Sequence, residues 1–319
     1  MAEIGIVDTS LRDGNQCTWA ALGVDTAKTL TVAPLMDRVG FRAIDFTTST
    51  HMGVAVRYKK EDPWERIRLM AAATPNTPLQ FMSTGFRFIS WETASPEFMA
   101  LVFQVLARNG IRRFCLADPM NDADSNIACA RMVKQGGGEY VIAALVYTLS
   151  PIHDDAYYVA RARRLADCPD IDALYIKDPG GLLTARRAAA LIPAVKAQLG
   201  NKMLELHSHC TIGLGELLYL DAADLGIAAL QCAAGATGDG ISNPPAERVV
   251  TNLRELGHSV NVDAEALTQV GRYFTRLAEA EGLPAGRPQG FDASYLRHQL
   301  PGGMVGTMRR QLAEVGKSQ

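Results

Sequence analysis

The feature that most restricts this chain is a rhythm. Short apolar, β-branched runs recur at 3–8 (EIGIVD), 43–48 (AIDFTT), 79–83, 112–117, 140–147 (YVIAALVY), 172–177, 203–207 and 227–233. Segments with helical periodicity separate most of them, at 23–39, 95–109, 124–135, 153–167, 184–199 and 214–225. Strand starts fall roughly 25–40 residues apart, the length of one βα unit. Eight such units predict an α/β fold, a (β/α)8 TIM barrel, complete near residue 256. An open doubly wound sheet fits less well, because no G-x-G-x-x-G follows the first strand. Residues 257–319 hold an amphipathic run at 263–282, a loop with Pro284, Pro288 and Gly290, and a helical stretch after Pro301. We read 1–256 as a catalytic barrel and 257–319 as a helical C-terminal extension packed on it.

In such a barrel the chemistry sits where strands end. Strand 1 runs into Arg12, Asp13 and Gln16, strand 4 into Asp118, and strand 6 ends in Lys177-Asp178. Strand 7 ends in His207-Ser208-His209, and strand 8 leads to Ser242-Asn243. Residues two apart on a strand share a face, so His207 and His209 can reach one ion. Two imidazoles and a carboxylate suit a divalent transition metal. Arg12 is placed to stabilise a developing oxyanion. Lys177, after apolar Leu174-Tyr175-Ile176, is costly to bury charged. It needs a partner such as Asp178, deprotonation, or covalent modification. His51, His258 and His298 fall away from this rim.

Composition removes several classes. The 32 Lys and Arg against 34 Asp and Glu leave a net charge of −2, without the basic excess of a nucleic-acid binder. No apolar run reaches the ~20 residues of a membrane span. The first residues lack a secretory pattern. Six scattered cysteines form no C-x-x-C pair and read as reduced thiols of a cytoplasmic protein.

The motifs D-T-S-L-R-D-G-N-Q (8–16), L-A-D-P-M-N-D (116–122), S-P-I-H (150–153), Y-I-K-D-P-G-G-L-L-T (175–184), L-H-S-H-C (206–210) and L-P-G-G-M (300–304) stand in this order over nearly the whole chain. Together they resemble the metal-dependent barrel family of HMG-CoA lyase, isopropylmalate synthase and the biotin-dependent carboxyltransferases. The nearest branch is that of pyruvate carboxylase, oxaloacetate decarboxylase α and transcarboxylase. The resemblance implies zinc, manganese or cobalt on Asp13, His207 and His209, completed by a carbamylated Lys177 or, as in the lyase branch, by Asn243. It implies Arg12 and Gln16 beside the substrate carbonyl, a homo-oligomer, and a small 2-oxo acid or acyl substrate. The reaction it implies makes or breaks a C–C bond through an enolate, by carboxyl transfer or decarboxylation. The alternatives are a biotin-independent aldolase-type lyase and a non-catalytic subunit retaining the fold.

The chain departs from that branch in three places. Thr84 stands where an arginine grips the substrate carboxylate, with Arg87 three residues on as a substitute. The proton-shuttling threonine falls on Gly240 or Ser242, so Ser242 is the catalytic candidate there. No A-M-K-M segment occurs, so biotin is expected on a separate carrier protein. Thr84, Arg87 and Asp118 are the expected substrate-binding residues.

Overall fold

The computed structural model describes residues 3–88 and 92–317. Eight parallel strands form the centre: β1 (Gly5–Asp8), β2 (Ala43–Thr48), β3 (Leu79–Ser83), β4 (Ile111–Leu116), β5 (Tyr140–Val146), β6 (Ala173–Asp178), β7 (Met203–Ser208) and β8 (Ala229–Cys232). They pair in chain order. β8 returns to β1 in the register Gly5↔Ala229 through Asp8↔Cys232, which closes the barrel. The expected (β/α)8 architecture is the one observed, and no open sheet forms.

Helices fill the connections: α1 (Asn15–Trp19), α2 (Thr26–Val39), α3 (Ser49–Val54), α4 (Pro63–Ala73), α5 (Pro96–Arg108), α6 (Ala123–Gln135), α7 (Asp155–Ala166), α8 (Ala185–Lys196), α9 (Gly215–Asp224) and α10 (Ala246–Glu255). Their starts are written locally. Asp25, Asp62, Ser95, Asp122, Asp154, Thr184 and Asp263 each accept a backbone N–H from the first turn that follows them. Pro63 and Pro96 occupy first helical positions, where a missing N–H costs nothing.

Strand alternation divides the core. One set of side chains packs outward under the helices, including Ile6, Ile44, Phe81, Phe114 and Leu206. The other fills the barrel, with Val7, Ala43 and Ala229 in one cluster and Cys115, Ile142, Ala144 and Tyr175 in another. Buried polar residues link across this interior. Arg113 donates to Gln80 Oε1 at 2.7 Å and to Glu205 Oε2 at 2.6 Å, and Gln231 Nε2 donates to Glu205 Oε2 at 3.4 Å.

After the barrel come α11 (Ala264–Glu281), α12 (Tyr295–His298) and α13 (Gly302–Glu314). Tyr273 of α11 donates to the Lys28 carbonyl of α2 at 2.7 Å, and Phe274 lies 6.3 Å from the Trp19 ring. The start of α13 folds back over the open end of the barrel, where the Gly302 N–H donates to the Pro179 carbonyl at 2.9 Å. Among the described residues no helix is long and apolar enough to cross a membrane. All six cysteines are buried and unpaired.

Candidate active site

Asp13 lies on a single π-helical turn, Ser10–Gly14, directly after β1. Such wide turns recur at functional sites because they re-aim side chains. His207 and His209 come from the end of β7, where inward alternation places both rings in the barrel mouth. Three ligand atoms meet there. Asp13 Oδ2 is 3.0 Å from His207 Nε2 and 3.2 Å from His209 Nε2, and the two Nε2 atoms are 3.1 Å apart.

Neighbouring hydrogen bonds decide what these atoms carry. His209 Nδ1 donates to the Ile241 carbonyl at 2.8 Å, since a carbonyl can only accept. Gln231 turns its amide N–H to the Glu205 carboxylate, so its Oε1 accepts from His207 Nδ1 at 2.9 Å. With both Nδ1 atoms donating, the two Nε2 atoms are left to face each other and Asp13 Oδ2, an oxygen that is buried without a hydrogen-bond donor. Three electron pairs facing one point repel unless a cation sits between them. The edges of 3.0–3.2 Å approach the ~3.3 Å that separates ligands about 2.0–2.1 Å from one tetrahedral ion. The donor set fits zinc, manganese or cobalt.

The charges around it agree with that role. Burial alone would raise the Asp13 carboxyl, but the charge of Arg12 beside it outweighs burial and holds it well below the ordinary value of 3.8. Burial pushes His207 down to about 3, which keeps the ring neutral. Cys17 Sγ lies 3.8 Å from Asp13 Oδ1 and 3.7 Å from His209 Nδ1. Its thiol is pushed well above 9.0, first by burial and then by Asp13, and the histidine atom beside it is already engaged. It therefore borders the ligand triangle without joining it.

Arg12 is held on both sides. Its Nη1 is 2.9 Å from Asp13 Oδ1, its Nε donates to Asp45 Oδ2 at 2.6 Å, and its Nη2 also pairs with Asp45. Asp45 is missed by reading strand ends, because it sits in the middle of β2. A lone acid in AIDFTT, in phase with inward-facing Ala43, is the signal that could have found it. Lys177 stands beside His207 in the β6–β7 register and is nearly buried. Burial, then the Arg12 charge, lowers its pKa from 10.5. The Lys177–Asp178 pairing, one of the three options the sequence left for Lys177, does not form. Asp178 points to the opposite face and accepts from the Leu182 and Leu183 N–H groups and from Ser208 Oγ, each at 2.8 Å.

The other candidates divide. Arg12, Asp13, Gln16, Thr84, Arg87, Lys177 and His209 line one cavity of about 650 Å³. Asp118 does not line it. It pairs with Arg87 Nη1 at 3.2 Å and accepts from the Met120 N–H, so it positions Arg87. Thr84 Oγ1 donates to the Arg87 carbonyl at 2.9 Å. Ser242 is buried with an unpaired Oγ and is not among the residues that line this cavity; its backbone N–H donates to the Asp239 carbonyl and its carbonyl accepts from the Cys210 N–H. Asn243 is near the triangle, but its Oδ1 accepts from Thr9 Oγ1 at 2.8 Å and its Nδ2 donates to the Ser208 carbonyl at 3.0 Å. Only its amide N–H side faces His207, at 3.4 Å. His51, read from sequence as remote, is buried in α3 between cavity-lining Thr50 and Met52, with both ring nitrogens unpaired.

The chain is 32% identical over 314 residues to a pyruvate carboxylase subunit of Methanocaldococcus jannaschii, covering 98% of this chain and 55% of that protein. It is 30% identical over 313 residues to the 2-oxoglutarate carboxylase large subunit of Hydrogenobacter thermophilus, covering 98% of this chain and 48% of that one. The chain thus spans about half the length of these curated relatives. A variant carboxyl transferase domain of Rhizobium etli pyruvate carboxylase, solved with pyruvate, superposes with a TM-score of 0.92 at 22% identity, over 100% of this chain and 55% of that one. That likeness concerns the fold. The HMGL-like family model matches residues 3–273, from β1 into α11, and the chain belongs to the HMGL-like family.

Proposed function

We propose that this chain is the carboxyl-transfer module of a biotin-dependent carboxylase or decarboxylase, acting on the carbon beside the carbonyl of a 2-oxo acid. The observation that carries the reading is Lys177. It is a nearly buried cation without an ion-pair partner among the described residues, beside a ligand triangle that lacks a fourth member. Relatives named as carboxylases and as a methylmalonyl-CoA carboxyltransferase subunit support the same class.

Asp13, His207 and His209 would hold the divalent ion, which supplies Lewis acidity to a substrate carbonyl. Arg12, its plane fixed by Asp13 and Asp45, presents guanidinium to the oxygen that gains charge. Gln16 lines the same end of the cavity and is placed to orient that oxygen. The lowered pKa of Lys177 raises its neutral fraction. The neutral amine can add to CO2: an N–C bond forms, a proton leaves to water, and the carbamate offers an anionic oxygen. Arg87, aimed by Asp118, takes the substrate carboxylate. Biotin arrives on a separate carrier, the C-terminal extension is a helical appendage packed on the catalytic barrel, and the active form is a homo-oligomer in the cytoplasm.

The aldolase-type alternative needs the Asn243 oxygen at the ion, and Thr9 already engages that oxygen. Ser242 does not line the cavity and is given no proton-transfer role. The test is CO2 release from 2-oxo acids bearing a β-carboxyl, with divalent metal, with and without free biotin. Biotin-stimulated release that falls at least 100-fold in Lys177→Ala, and less than tenfold in Asn243→Ala, is expected. Biotin-independent cleavage into two carbon fragments, with Asn243→Ala the severe variant, would overturn the reading.

A further inference from the structure

Apolar and basic residues stand together at the cavity mouth. A second π-helical turn, Ala55–Lys59, follows α3 and brings Val56, Arg57 and Tyr58 into the cavity wall. Val56 and Tyr58 are nevertheless 54% and 59% exposed, and Met304 of α13, which also lines the cavity, is 58% exposed. From Met304 an apolar stripe runs outward along α13 through Met308, Leu312 and Val315, all exposed. Gly302, Gly303 and Val305 are buried and hold the first turn of that helix down. Every residue from Gln311 to Lys317 is exposed. A short helix is marginal in water until such a stripe is covered.

Charge narrows what covers it. The acids beside these segments are mostly engaged: Glu61 pairs with Arg66 and accepts from Thr26, Asp62 caps α4, and Glu314 pairs with Arg310. Among the described residues Arg57, Lys59, Lys60 and Arg309 have no ion-pair partner, against one free acid nearby in sequence, Glu65. Asp13 is the single acid lining the cavity, and Arg12 engages it. A second copy of this chain would set the same surplus of cations against itself across a two-fold interface. A small anion inside the cavity would leave the stripe beyond Met304 bare. A protein whose surface is acidic around an apolar centre meets both demands.

We infer that the segment from Val56 to Lys60 and the outer face of α13 together dock an acidic carrier protein, whose biotinyl-lysine enters the cavity between them. This rests on the carboxyl-transfer reading above and names the seat and the chemistry of its partner. Val56, Tyr58, Met304 and Met308 supply the apolar contact. Arg57, Lys60 and Arg309 draw the acidic surface in and fix its orientation.

The test is fluorescence anisotropy of the full metal-loaded chain with two labelled synthetic peptides of equal length. Both carry one biotinyl-lysine between leucines; the remaining residues are glutamates in one and lysines in the other. Roughly tenfold tighter binding of the acidic peptide at low salt is expected, with the difference shrinking severalfold as salt screens the charges. Arg57→Glu combined with Lys60→Glu should abolish that preference. Arg309→Glu, on a separate element, should cut it about threefold and keeps the test decisive if the paired variant fails to fold. Met308→Ala should weaken both peptides alike, while Met120→Ala, exposed after β4, should change neither. Equal binding of the two peptides, binding of neither, or a preference that survives the paired variant would overturn the docking face; carboxyl transfer stands if free biotin still stimulates CO2 release. A sedimenting dimer dissolved by Met308→Glu would give the face to a second copy and also overturn it. Binding of neither peptide together with no stimulation by free biotin would sink the carboxyl-transfer reading itself, and the inference with it.

Discussion

Asp13 and Arg12 show how adjacent residues take opposite tasks from one turn of backbone. The guanidinium is locked between two carboxylates, while the far oxygen of Asp13 is left for a cation. Asp13→Asn removes the charge that offsets that cation. It is expected to lose stoichiometric metal, read by elemental analysis after gel filtration, while circular dichroism stays unchanged. Asp45→Ala acts differently, because it leaves Arg12 buried with half of its anionic partners gone. A stability loss of about 3–5 kcal/mol is expected from urea unfolding. His51 gives a pH signature. Burial, then the charge of Arg12, pushes its pKa from 6.5 down to about 3. Between those values the unfolded chain binds a proton that the folded chain refuses, so this residue makes stability fall as pH falls. His51→Asn should flatten the stability profile between pH 6.5 and 4 by up to about 1.4 kcal/mol per pH unit. Parallel slopes for the two proteins would contradict the assignment.

At the scale of elements, the site depends on pieces that never touch a ligand. β8 contributes Gln231, whose amide passes the demand of Glu205 on to His207 and fixes its tautomer. Gln231→Leu should weaken metal binding about 10- to 100-fold with the barrel intact, measured by competition with a chromophoric chelator. The start of α13 presses on the other histidine. A Cβ at Gly302 would collide with the Ile241 carbonyl and lie 2.5 Å from His209 Nδ1. Gly302→Ala therefore either tilts α13 away or turns the ring. Faster proteolysis within residues 295–317 together with weaker metal binding is expected, and wild-type behaviour in both assays would show that the roof and the ligand are independent. The eight strands and most of the longer helices were legible in advance, but α1, α3, α4 and α10 were not read as helices. Seven caps were written one residue before their helices, and β5 and β7 lie where the apolar runs stand. Asp45 could be marked as an inward acid but its pairing with Arg12 could not, and Gln231 was not legible at all, since nothing local tells a buried polar residue which partner it will meet.

Across the whole molecule, closure of the barrel turns a list of strand ends into one rim. It brings β8 against β1, so Thr9 meets Asn243 and Cys232, more than 220 positions away. Local patterns settled a great deal: period-two alternation set the inward faces of His207 and His209, apolar runs set eight strands, and capping residues set the helix starts. Those signals act over a few residues, which is why they can be read along a line. Only the tertiary structure decided that Asn243 spends its oxygen on Thr9, that Ser242 Oγ is buried without a partner, and that Asp178 turns from Lys177 to Ser208. It alone decided that Asp45 clasps Arg12 and that Met304 returns to roof the cavity. Those outcomes rest on contacts between distant segments, where burial removes water and each polar atom must take whichever partner the closed barrel brings to it.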